Sequence, residues 1–570
     1  MDSFQSTTVF WVVFMLSCGM IFNQNAAADN VRYYDFKIEY ANVSRICHSK
    51  VLVSVNGQFP GPTVYAEEGD RVVVKVTNNV QSNVTIHWHG VRQLLTGWSD
   101  GPAYITQCPI QAGQSFTHDF RVISHRGTLF WHAHISWLRA TLYGAIIIYP
   151  RRGLPLPFPK PEKEFPVLLG EWWNGDVEQI EKDALRTGGV PNISDAFTIN
   201  GQPGPFYNCS TADVYKLKFK AGKTYMLRMV NAALNQDLLF GIANHSLTIV
   251  EVDGEYTKPL TVPVLVLSPG QTADVLVTAN QHHGRYYMAA KPYISAPVPF
   301  NPFPTTAIIE YEASTYAELS QPPVFPSLPA SNDTVYGENF FKSIRSLNSK
   351  EYPIQVPQTV DRNLLFTVSF NLKACPSGQL CLGPGGLKFS SSMNNISFSF
   401  PSISIMQAYY YNIGGVFSPD FPDMPPHPFN YTGPMLSNPQ PEAGTKVNLI
   451  PFGSNVQLVL QDTSTATLDS HPIHLHGYSF YVVGQGVGNY DPSKDPATFN
   501  LIDPPYRNTV AFPRAGWVAI RWKADNPGVW FMHCHLEAHT SWGMEMAFLV
   551  TNGKGKDQTL PPPPEDLPKC

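Results

Sequence analysis

Four His-x-His pairs carry the chemistry open to this chain: His87-Trp88-His89, His132-Ala133-His134, His474-Leu475-His476 and His533-Cys534-His535. In extended backbone, side chains two apart leave the same face of a strand. Each pair can therefore aim two imidazoles at one point while the middle residue faces away. Imidazole is the commonest protein metal ligand, and eight of the 17 histidines fall in this pattern. Chance core histidines explain one such pair; four point to a metal cluster.

The pairs recur as a block. Ile86-His-Trp-His-Gly90 returns as Ile473-His-Leu-His-Gly477, and Gly127-Thr-Leu-Phe-Trp-His-Ala-His134 as Gly528-Val-Trp-Phe-Met-His-Cys-His535. Self-similarity at such a separation marks repeated domains, and two half-sites of four imidazoles each suggest a cluster held between the first and last of them. The second copy carries more. Cys534 replaces Ala133 and points away from the flanking histidines, as does His471, three residues before His474. With His539 downstream and Met544 as a weak axial partner, they describe a blue-copper electron-transfer centre of two His, one Cys and a long Met. The first copy has Val84, Leu138 and Tyr143 at the matching places and is expected to hold none. Neighbouring Cα atoms lie 3.8 Å apart, so two side chains and two metal bonds of about 2 Å put the metals on the order of 10–13 Å apart, joined through bonded atoms. Such a pairing suits the collection of single electrons and delivery of four to dioxygen.

The elements that must position these groups are strands. Charged residues make up 15% of the 570, below the roughly 25% of ordinary globular proteins, while Pro (51) and Gly (41) are plentiful. Alternating runs such as Arg71-Val-Val-Val-Lys-Val-Thr77, bounded by turn dipeptides, give an all-β profile, decorated by short helices such as Asp176–Leu185. The length allows several domains. Residues 30–150 form the first; the Pro-rich run Arg152–Pro161 links it to a second over 162–315; a less regular linker over 316–350 leads to a third over 351–570. The second has no His-x-His, and its His245, His282 and His283 lack ligand spacing. A formal charge of −5 with no basic stripe argues against nucleic acid as a partner.

Residues 1–28 read as a secretory signal peptide, with an apolar Val9–Phe22 and a small-residue site at Ala26-Ala-Ala28. No later stretch is long enough to span a bilayer. Eight Asn-x-Ser/Thr sequons, at Asn42, Asn83, Asn192, Asn208, Asn244, Asn332, Asn395 and Asn430, agree with export and N-linked glycans. Apart from Cys18 in the signal and the proposed ligand Cys534, six cysteines remain, which permit 15 disulfide pairings.

The chain resembles the blue multicopper oxidases, and within them the plant laccases. His471-Pro-Ile-His-Leu-His-Gly477 and His533-Cys-His-Leu-Glu-Ala-His539 match the family's C-terminal copper motifs; His87-Trp-His-Gly90 and Phe130-Trp-His-Ala-His134 match its N-terminal two. Gly188-Gly-Val-Pro-Asn-Ile-Ser-Asp-Ala-Phe-Thr-Ile-Asn-Gly201 looks specifically like plant laccases, and the likeness runs from about Tyr33 to Cys570.

The resemblance implies three consecutive cupredoxin-like Greek-key β-sandwich domains and four coppers. A type 1 copper takes His471, Cys534 and His539, with Met544 axial. A type 2 copper takes His87 and His474, and a type 3 pair takes His89, His132, His134, His476, His533 and His535. Many such laccases carry Leu at the axial place; a thioether stabilises oxidised copper and lowers its potential. Asp100 and Glu537 match the family's acids beside the cluster, where reduction of dioxygen consumes protons. Similarity favours disulfides Cys47–Cys209, Cys108–Cys570 and Cys375–Cys381. Substrate is expected near His471, with Asn235 and Asp237 in a second-domain loop hydrogen-bonding a phenol hydroxyl and Asp237 taking its proton.

The implied activity is that of a secreted, monomeric apoplast or cell-wall laccase, oxidising phenols such as lignin precursors or flavonoids at the expense of O2. Ascorbate oxidase shares all twelve copper positions and an axial Met, though the Gly-Gly-Val-Pro-Asn-Ile-Ser-Asp segment counts against it. A non-catalytic copper-binding wall glycoprotein is the reading of another class; no ligand is missing to favour it.

Overall fold

In the computed structural model, residues 30–570 are described except 208, 210–213, 295, 297, 434–439 and 464–467. The signal-peptide reading, Cys18 and the sequon at Asn208 fall outside the described residues.

The strand-forming composition organises as six sheets, two to each third of the chain. In the first third, strands Val31–Arg45, His48–Val55, Arg71–Asn78 and Ser115–Arg121 form one sheet, and Val64–Glu67, Tyr143–Tyr149, Gly127–Ala133 and Ile86–His89 the other. The middle third packs a six-stranded sheet on a five-stranded one, and the last an eight-stranded sheet on a five-stranded one. The chain is thus all-β with three sandwich units. Alternation puts the apolar residues between the sheets: Arg71–Asn78 runs exposed or half-buried and buried by turns, and each sandwich closes over its own core of Val, Ile, Leu and Phe side chains.

Helices sit between and beside the sandwiches. The predicted short helix is Val177–Thr187; Asp176 precedes it as N-cap, accepting from the Glu178 and Gln179 amides, and Gly188 ends it at φ 68°. The 316–350 linker is more ordered than expected. It carries helices Tyr316–Ser320, opened by a Thr315–Glu318 capping box, and Thr334–Ser343, whose Phe340 joins the middle core.

All three disulfides favoured by the resemblance are formed. Cys47–Cys209 and Cys108–Cys570 staple the first sandwich to the second unit and to the C-terminal tail; Cys375–Cys381 closes a local loop. Cys534 is the one free cysteine among the described residues, and it is buried.

Candidate metal centre and donor cavity

The repeated motifs form repeated strand pairs. Ile86–His89 runs antiparallel to Gly127–Ala133 with His87 opposite His132. Pro472–Leu475 runs antiparallel to Gly528–Cys534 with His474 opposite His533. The two pairs face each other across the contact of the first and last sandwiches, and the eight imidazoles meet there, seven of them fully buried and His134 half-buried.

Their inner nitrogens converge in threes. His533 Nε2 lies 3.2 Å from His134 Nε2 and 3.2 Å from His476 Nε2. His89 Nδ1 lies 3.4 Å from His132 Nε2 and 3.2 Å from His535 Nε2. Nitrogens ~2.0 Å from one tetrahedral metal sit about 3.3 Å apart, so both triplets have the spacing of ligands to one ion. His87 and His474 form a third set: their rings lie 5.6 Å apart, and the Nε2 of each is buried without a partner.

Outer nitrogens set the tautomers. His87 Nδ1 donates to the Asp100 carbonyl, His132 Nδ1 to Ala133, His474 Nδ1 to Asn508 and His533 Nδ1 to Cys534, all at 2.7–2.8 Å. His476 Nδ1 donates to Asp100 Oδ2 at 2.9 Å. With the proton fixed outside, the inner nitrogen presents a lone pair. Burial, with neighbouring charges, keeps seven of these imidazoles neutral: His533 is pulled down to about 3, and His89, His132, His134, His474, His476 and His535 lie well below the usual range. Asp100 reaches the ligands because the next residue is glycine. Gly101 holds φ 104°, and a Cβ there would strike the Ile86 carbonyl. Burial raises the Asp100 pKa against the opposing pull of His87, whose Nδ1 lies 3.4 Å from Asp100 Oδ1.

On the reverse of the second strand pair, Cys534 Sγ lies 3.5 Å from His539 Nδ1 and 3.8 Å from His471 Nδ1, and the two nitrogens are 3.2 Å apart. Bonds of ~2.0 Å to nitrogen and ~2.3 Å to sulfur in a trigonal plane would space these atoms by about 3.5–3.7 Å. The donor set fits a cupric ion. Burial pushes the Cys534 thiol well up, so a thiolate forms here together with a bound cation. Met544 is buried in the same core cluster, its amide bonded to the His539 carbonyl and its own carbonyl to the Cys534 amide. In the first copy Val84, Ile86, Ala133 and Leu138 fill the equivalent space with hydrocarbon.

Sequence reading missed Arg139. Its buried guanidinium binds Glu537 Oε2 at 2.7 and 2.9 Å, the His535 carbonyl at 2.9 Å and the carbonyls of Ala233 and Leu234, and faces His535 Nδ1 at 2.7 Å. One side chain thus joins all three sandwiches. The available signal was a lone cation inside the apolar run Trp137-Leu-Arg-Ala-Thr-Leu142. Asn508 and Thr509, bonded to His89 Nε2 at 3.0 Å, gave no such signal.

A cavity of about 650 Å³ opens beside His539, walled by Trp173, Phe370, Phe389 and Trp542. Asn235 and Asp237 line it, as do Glu171 and Asp469. Three expectations change here. His539, not His471, forms the cavity wall; His471 is fully buried behind it, between Phe370 and Phe512. Asp237 opens strand Asp237–Ile242 rather than sitting in a loop. Burial, reinforced by the Asp469 charge, pushes it up to about 8, so below that pH it is a neutral acid and not the proton acceptor expected from the sequence. Asn235 spends its carbonyl on the Ala538 amide at 2.9 Å, tying the cavity wall to the His539 helix.

Three sequence profiles, each described as multicopper oxidase, match residues 37–153, 163–314 and 420–554. The chain is 55% identical to Laccase-4 of Oryza sativa subsp. japonica, over 95% of each chain. It is 53% identical to Laccase-11 of Arabidopsis thaliana, over 95% of this chain and 96% of that one. The crystal structure of the laccase from Botrytis aclada superposes with a TM-score of 0.72 at 25% identity, covering 94% of this chain and 89% of the other.

Proposed function

Because this chain belongs to the multicopper oxidase family, within its plant laccases, we propose that it oxidises phenolic donors in one-electron steps coupled to four-electron reduction of dioxygen to two waters. The observation that carries the reading is the placement of Cys534 in a two-histidine, one-thiol set while its chain neighbours His533 and His535 belong to the two imidazole triplets. Copper is the cofactor; bound here, it supplies one-electron acceptance at the sulfur-containing set and multi-electron reduction of dioxygen at the imidazole cluster.

In this reading His471, Cys534 and His539 would hold the type 1 copper, with Met544, buried in the same core cluster, as a weak further ligand, and His87 and His474 would hold type 2. His89, His132 and His535 hold one type 3 ion, and His134, His476 and His533 the other. The spacings above support the assignment. The phenol lies in the apolar cavity against the His539 edge, oriented by Asp237 and the Asn235 amide. Asp100, in contact with His87 and His476, is the acid on one side of the cluster; Glu537, fixed by Arg139, is the acid on the other side.

The domain boundaries 30–150, 162–315 and 351–570 belong to the same proposal, supported by sheets that occupy 31–149, 164–311 and 362–550. So do secretion to the apoplast or cell wall, N-linked glycans and a monomeric state. No helix among the described residues is long and apolar enough to cross a membrane.

Purified copper-loaded protein assayed on sinapyl alcohol and on ascorbate tests the reading. Turnover of the phenol with oxygen uptake is expected; a strong preference for ascorbate overturns the laccase assignment in favour of ascorbate oxidase. A blue absorption band without oxygen uptake on either would leave a copper-binding wall glycoprotein.

A further inference from the structure

The mouth of the donor cavity carries one of the sequons. Asn192 lines the cavity and is exposed, whereas the described asparagines of the other sequons, Asn42, Asn83, Asn244, Asn332, Asn395 and Asn430, do not line it. The backbone around it is held on several sides. Trp173 Nε1 donates to the Asn192 carbonyl at 3.0 Å, Asn301 Nδ2 to the Ser194 and Asp195 carbonyls at 3.2 and 2.9 Å, and the Asp195 amide to the Trp172 carbonyl at 2.8 Å. A group attached at Asn192 therefore stands on a fixed base. Beside it Val190, Ile193 and Val298 expose apolar side chains at the same rim, a surface that the first sugars of a glycan would cover.

We infer that an N-linked glycan on Asn192 forms part of the cavity mouth and limits the size of phenol that reaches His539; this rests on the laccase reading of the cavity. The volume makes the limit specific. A space of about 650 Å³ is that of an ordinary small-molecule site, roughly 300–1,000 Å³. A one-ring phenol enters whole, past a glycan or not. A chain of linked phenols can place only its end ring inside and must trail out through the mouth, where a bulky hydrated oligosaccharide occupies the same space. The chemical class selected is therefore the free one- or two-ring phenol, with polymer-borne phenol excluded.

Glycopeptide mass spectrometry of copper-loaded protein from a glycosylating host, with kcat/KM for sinapyl alcohol and for a phenolic oligomer, tests this. Asn192 is expected to be occupied, and both Asn192→Gln and enzymatic trimming of the glycans should raise the oligomer-to-monomer ratio of kcat/KM several-fold. Asn42→Gln, on strand Val31–Arg45 and outside the cavity lining, should leave that ratio where it is. An unmodified Asn192, or a ratio unmoved by both treatments, overturns the inference while turnover of sinapyl alcohol keeps the laccase reading. If neither donor is oxidised, both fall.

Discussion

The two strand pairs that build the cluster share one frame and differ on one face. In both, histidines sit opposite each other, His87 with His132 and His474 with His533, and an isoleucine sits opposite the middle residue of the second motif, Ile86 with Ala133 and Ile473 with Cys534. The inward faces are interchangeable in kind: four imidazoles each, their outer nitrogens mostly spent on carbonyl or carboxylate oxygens. The outward faces are not. Behind the first pair lies packed hydrocarbon; behind the second, a thiol and two further imidazoles lie within ligand distance of one another. A β-strand can do this because alternate residues face opposite ways, so one face can change its chemistry while the other keeps its ligands.

The largest effect should come from breaking that asymmetry. Cys534→Ser removes the sulfur from the second copy; the blue absorption should vanish and phenol turnover fall by more than the roughly 100-fold typical of losing a group one step from a metal. Ala133→Cys, the reverse exchange, should create no blue band, because Val84 and Leu138 offer no ligands beside it. Next is Arg139→Ala, which leaves Glu537 without its cation where the three sandwiches meet. Breaking such a buried pair costs about 3–5 kcal/mol, to be read as lost thermal stability, with Arg139→Lys recovering part of it.

Asp100 sharpens the comparison from the cluster side, since it serves a histidine of each copy. Asp100→Asn should lower kcat by about 10–100-fold while the blue band, on the reverse face, stays. The smallest effect concerns the cavity. With a folded pKa near 8 against 3.8 for the ordinary group, Asp237 favours the fold most below the ordinary value, and that contribution erodes as pH rises towards 8. A hydrogen bond donated from it to a phenol oxygen, as proposed, would disappear over the same upper range, so KM for phenols should rise above about pH 8. Asp237→Asn, which keeps a donor, should change KM little at pH 6 and flatten that rise.

Much of this was legible in residue order because the ligands are local. His-x-His places two imidazoles on one strand face whatever surrounds it, and the repeat announced two such faces; alternation sorts Cys534 and His471 from the cluster ligands, and His539, on the helix Glu537–Ser541, is found by its nearness to Cys534 in the chain. The second layer was not legible. Arg139 meets Glu537 across 398 residues, and Asn508 meets His89 across 419; no local pattern encodes such meetings. The exchange of His471 for His539 at the cavity wall has the same origin. Both histidines face Cys534, and which one borders open space depends on how the middle sandwich packs against the helix Glu537–Ser541.

The order of residues alone determined the all-β character, the ligand types and the face each ligand takes, because strand periodicity and metal preference act within a few residues. Tertiary structure alone decided which imidazoles group in threes, which of them Asp100 serves and which histidine edge borders the cavity. Those depend on distances between separate sandwiches and on burial, and both arise only when the three cores pack together.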